Sequence, residues 1–115
     1  MKVLALKYLG FGNESLNSFA PDHPKNFCLW LDLSIGFLDE DDGDFFQVGI
    51  CTPTWLAHQV SIRQVVVPRN LLIVEEFCFD VIKKKIEEII MQSARDSGAE
   101  SMAALSRYFS WEFDI

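Results

Sequence analysis

An α+β fold is predicted for this chain by three observations. Apolar side chains fall at every second position from Phe27 to Phe37, the period of a strand. A second stripe, Ile82, Ile86, Ile89, Ile90 and Ala94, follows the three-four spacing of a helix. The strand-like segments mostly precede the helix-like ones, and that grouping separates α+β from alternating α/β chains. The expected architecture is a mainly antiparallel sheet of about four to five strands, with two C-terminal helices packed on one face and one short helix after the third strand.

The first strand is read over Lys2 to Leu9, where Leu4, Leu6 and Tyr8 alternate with Val3, Ala5 and Lys7. Gly10 to Asn26 reads as a loop, rich in Gly, Asn and Ser and broken by Pro21 and Pro24. Phe19 is expected to tuck beneath it. A β-hairpin follows. Its first strand sets Phe27, Leu29, Leu31, Leu33, Ile35 and Phe37 on one face and Cys28, Trp30, Asp32 and Ser34 on the other. Its second, Phe45 to Cys51, alternates Phe46, Val48 and Ile50 with Gln47 and Gly49. Between them lie Asp39, Glu40, Asp41, Asp42, Gly43 and Asp44, an acidic tip.

Thr52 and Pro53 are the N-cap and first residue of a short helix running to Val60, with Trp55, Leu56 and Gln59 spaced to pack on the sheet. Arg69 to Phe77 reads as an interior strand because both its faces are apolar in the middle. Asp80 is placed as N-cap of the helix through Ala94, whose outer face offers Lys83–Glu87 and Lys84–Glu88 pairs. Ser97 and Glu100 have capping-box spacing and open a second helix ending near Tyr108 to Phe109, with Met102, Leu105 and Phe109 inward. The tail alternates Trp111, Phe113 and Ile115 against Glu112 and Asp114, and is read as an extended segment docked on the domain.

A chain of 115 residues with half its residues hydrophobic suits one domain with a packed core. Its net charge of −7 opposes direct binding to nucleic acid or an anionic membrane. The same charge suits a basic protein partner, and it also serves solubility. Cys28, Cys51 and Cys78 form no CxxC and read as buried free thiols of a reducing compartment. His23 and His58 lie at no ligand spacing from them, so neither metal nor cofactor is expected. The N-terminus has neither the length of a membrane span nor the shape of a signal peptide, and a cytoplasmic protein is expected.

The acidic tip fails as a calcium loop, since Gly43 falls at position five and Ile50 where the bidentate glutamate belongs. Adjacent carboxylates on a hairpin tip are too alike in environment for acid–base catalysis. Asp and Gly also turn well, and charge there blunts strand aggregation. Five acids exceed what a turn requires, which leaves a docking surface for a basic partner as the other reading. No GxSxG elbow, phosphate loop or HExxH occurs, and the residues alone support an acidic binding domain rather than an enzyme.

Pro24 to Phe27 (PKNF), Ile35-Gly36 before the acidic turn, Phe46 to Leu56 (FQVGICTPTWL), Leu71 to Phe77 (LLIVEEF) and Trp111 to Phe113 (WEF) occur in an order and spacing that spans nearly the whole chain. In these segments the chain resembles the immunity protein family numbered eight of bacterial polymorphic toxin systems, to which contact-dependent inhibition also belongs. The resemblance implies an α+β protein that binds and neutralises a cognate toxin domain, and it carries no catalytic residues. A nuclease toxin must be basic to hold its substrate, so an acidic inhibitor would steer to it. The residues expected at the contact are Asp39, Glu40, Asp41, Asp42 and Asp44, then Glu75, Glu76 and Trp111. The alternatives are an acidic subunit or adaptor of an unrelated complex, and a small enzyme built around His58 and a carboxylate.

Overall fold

Residues 3–12, 14–16 and 19–113 are described in the computed structural model. The strands are β1 (Leu4–Phe11), β2 (Glu14–Ser15), β3 (Cys28–Phe37), β4 (Asp44–Cys51), β5 (Leu71–Ile73) and β6 (Ser110–Trp111). The helices are α1 (Pro53–Arg63), α2 (Phe79–Ser93) and α3 (Gly98–Leu105). The sheet order is β2-β1-β3-β4-β5, and β6 also pairs with β4. Every pairing is antiparallel except β4 with β5. The α+β class stands, with six strands in the sheet.

The β3–β4 hairpin is the spine, paired without a break from Cys28↔Cys51 to Ile35↔Asp44. One face of the sheet carries Leu31, Leu33, Ile35, Phe46, Val48 and Ile50, all wholly buried. Ile82, Ile86, Ile89 and Ile90 of α2, with Met102 and Leu105 of α3, close that face into one core. The α2 stripe lies where its spacing puts it, because a helix with one apolar face is stable only with that face covered. Ser97 caps α3 as expected: its Oγ accepts from the Glu100 N–H at 3.1 Å and donates to Glu100 Oε1 at 3.1 Å. Thr52 caps α1, its buried Oγ1 accepting from Trp55 N–H at 3.4 Å and Phe27 N–H at 3.3 Å. Phe19 is tucked against Phe11 and Phe77 at centroid separations of 5.2 and 6.0 Å.

Several elements depart from the expectation. A register shift between Leu6 and Tyr8 flips the alternation of β1, so Leu9 faces the core and Tyr8 faces solvent. The loop from Gly10 begins later and contains β2, while Leu16 is fully buried. Lys2, Asn13, Asn17, Ser18, Asp114 and Ile115, which fall in the first strand, the loop and the tail, lie outside the described residues. Helix α1 is longer than expected and none of its residues is fully buried, but Trp55, Leu56 and Gln59, the three expected to pack inward, are half-buried while the rest of the helix is exposed.

The expected interior strand is an edge strand of three residues, since Glu75 and Glu76 form a bend and the chain then enters α2. Helix α2 starts at Phe79 with Cys78 as an N-cap lacking a side-chain bond; Asp80 sits in the first turn, where its charge still favours the helix end. Helix α3 ends at Leu105, and turns lead to β6. On α2 the salt bridge is Lys85–Glu88 at 3.0 Å, in place of the two expected pairs. In the tail, Phe113 is 65% exposed.

Candidate partner-binding surface

The acidic tip is a folded-back turn. Leu38 N–H donates to Val3 O at 2.7 Å, Glu40 N–H to Phe37 O at 3.0 Å, and Lys7 Nζ donates to the Glu40 carbonyl. A Cβ at Gly36 would sit 2.5 Å from Asp42 O and 2.9 Å from Gly43 Cα, so the tip can lie on β3 only because position 36 has no side chain. Asp39, Glu40, Asp41 and Asp42 are exposed. Asp44 is different. Its Oδ2 accepts the Trp111 indole N–H at 3.2 Å, and it is half-buried.

Trp111 is held by the fold as well. It pairs with Phe46 across β6 and β4, stacks on that ring at 6.3 Å and 19°, and meets Phe113 edge-on at 5.6 Å. Asp44 and Trp111 therefore act together as a fastening between the hairpin and the tail. Glu40, Asp42, Asp44 and Trp111 line one cleft against Gly98, Ala99 and Met102. Glu75 and Glu76 are exposed beyond the other end of the sheet, because β5 runs parallel to β4 and β4 leads away from the tip. The eight expected contact residues thus form two separate groups.

The sheet face opposite α2 and α3 supplies residues that were not singled out. Register puts Tyr8, Ser34 and Phe45 in one row, Gly10, Asp32 and Gln47 in the next, and Trp30, Gly49 and Leu71 in a third. Tyr8, Phe45 and Trp30 are 45%, 40% and 47% exposed, and Ile73 is 53% exposed. Gln47 Nε2 donates to Asp32 Oδ1 at 3.0 Å between the aromatic rows. A Cβ at Gly49 would lie 2.5 Å from Leu71 Cδ2 and 3.2 Å from the Trp30 ring, so glycine lets both side chains lie flat on the sheet. Trp30 was readable as outward, sharing its face with Asp32 and Ser34. Tyr8 was hidden by the bulge.

An apolar, aromatic centre bordered by carboxylates has the anatomy of a protein–protein interface. A family model described as Immunity protein 8 matches residues 4–115. The chain belongs to the Immunity protein 8 family. Among curated proteins and solved structures no match is found. Membership makes the chain an immunity protein against a toxin, and its partner a toxin protein.

The remaining chemistry-bearing groups of this immunity protein are dispersed. His58 is exposed on α1, where its carbonyl accepts from Ser61 Oγ at 2.8 Å. Among the described residues no group of three or more His, Cys, Asp or Glu is placed to hold a metal ion. Cys28 and Cys51 face each other across the hairpin as free thiols, half-buried and buried, whereas Cys78, expected to be buried, is exposed where the chain enters α2. Burial raises both facing thiols, and with the added repulsion of Cys28 the Cys51 thiol is pushed up to about 11. Both stay protonated near neutrality, which suits inert packing rather than nucleophilic chemistry. Among the described residues no helix is long and apolar enough to cross a membrane.

Proposed function

We propose that this immunity protein neutralises its toxin in the cytoplasm by stoichiometric binding, without catalysis, and that the toxin domain is basic and a nuclease. The toxin docks on the uncovered sheet face, with Trp30, Phe45 and Tyr8 as anchors and Asp39, Glu40, Asp41 and Asp42 as the steering rim. The observation that carries this reading is the set of exposed aromatic side chains, Tyr8 and Phe45 in the row beside the tip and Trp30 two rows on, on the sheet face opposite α2 and α3. Half-exposed aromatic rings lose further apolar area on binding at little entropic cost, because they have few rotors. The net charge of −7 supports the choice of a basic partner. Asp44 and Trp111 contribute by holding the tip in shape, and Glu75 and Glu76 lie outside this surface.

Changing Asp39, Glu40, Asp41 and Asp42 together to Asn or Gln tests the rim. Association with the toxin should slow by about tenfold or more at low ionic strength, with the difference shrinking at high salt and dissociation little altered. Stopped-flow or surface-capture kinetics at two salt concentrations read this directly. Association that is equally fast in both proteins at low salt removes the tip from the interface.

A further inference from the structure

We propose that β5 pairs antiparallel with β5 of a second copy of this chain, joining two sheets into one across a two-fold axis. The proposal concerns the edge of the sheet and does not rest on the toxin-binding reading.

The backbone of β5 faces two ways. Gly49 N–H donates to Asn70 O at 2.9 Å, and Val74 N–H donates to Cys51 O at 2.8 Å. Alternation along a strand then points the N–H and C=O of Leu71 and Ile73 away from β4. None of the described residues bonds to that outer edge. Beyond it runs a groove of about 640 Å³ between β5 and α2, with Leu72, Val74, Val81 and Ile82 along it. An added strand would complete its bonds on Leu71 and Ile73 and drop apolar side chains onto Val81 and Ile82.

Charge selects the occupant. Arg69 stands just before β5 and Glu75 just after it; both are exposed, and neither is in the salt bridge of the described residues. A basic segment of another protein would satisfy Glu75 and face Arg69 with like charge. A second β5, running the opposite way, brings the Arg69 end of each copy to the Glu75 end of the other, within reach of these long side chains although Asn70 and Glu75 lie outside the strand. With Leu71 opposite Ile73 of the second copy, each pair exchanges two hydrogen bonds, roughly four in all. That register puts the two Leu72 side chains together over the joined grooves. The surface is self-complementary, as a two-fold interface must be.

Sedimentation velocity on the purified chain, carried up to about 1 mM, should show a concentration-dependent dimer. Arg69→Glu and Glu75→Arg should each weaken it by about tenfold or more by setting like charges together twice. The double reversal should restore it to near the parent value. Ile73→Pro removes an N–H that points away from β4, so it should also abolish the dimer. The charge variants carry the test if that protein does not fold. A parent chain that stays monomeric throughout overturns the proposal. So does a dimer indifferent to both single reversals, or a double reversal that fails to recover it.

Discussion

Phe46→Ala is expected to cost about 3–5 kcal/mol of folding stability. Phe46 is wholly buried on β4 and sits at the junction of the hairpin, α3 and the tail. Its ring meets Phe109 edge-on at 6.3 Å and stacks on Trp111 at 6.3 Å. Alanine leaves a cavity lined by groups that cannot all move inward, since Phe109 is itself fully buried and Trp111 is tied to Asp44. A domain of this kind has about 5–15 kcal/mol in hand, so the loss removes a large share of its stability. Urea denaturation with unchanged slope reads the loss. A change under about 1 kcal/mol would mean that the tail does not close over this ring.

The second large effect is on binding. Trp30→Ala and Phe45→Ala should each weaken the toxin complex by about 2–4 kcal/mol, or roughly 30- to 1000-fold in Kd. Neither ring is buried in the core, so the thermal midpoint should move only slightly. Trp30 will cost a little more than Phe45, because it also covers Gly49 beside Leu71. Titration calorimetry with the cognate toxin domain separates the two effects. Should both variants bind as tightly as the parent, the toxin does not sit on this face.

What the sequence revealed follows from how local each cause is. The hairpin strands and their buried faces, the α2 stripe, and the caps at Thr52 and Ser97 depend on residues close in sequence, and each lies where its pattern put it. The orientation of Tyr8 depends on one extra residue in β1, and a bulge leaves no mark in hydropathy. Leu71–Ile73 looked interior because apolar residues on both faces imply cover; instead the strand is short and one of its faces is open. The acidic tip was legible as charge, but its fold-back over Gly36 and the capture of Asp44 by Trp111 are tertiary facts. Trp111 read ambiguously for the same reason, since its partners lie far away in the chain.

The crossover from β4 through α1 to β5 has a consequence for how the native molecule breathes. A helix with no fully buried residue and a three-residue strand form a unit of low local stability. That unit can open while β3, β4 and α2 stay closed. In amide hydrogen exchange, α1 and β5 should lose protection together and early, while the hairpin exchanges only when the whole domain unfolds.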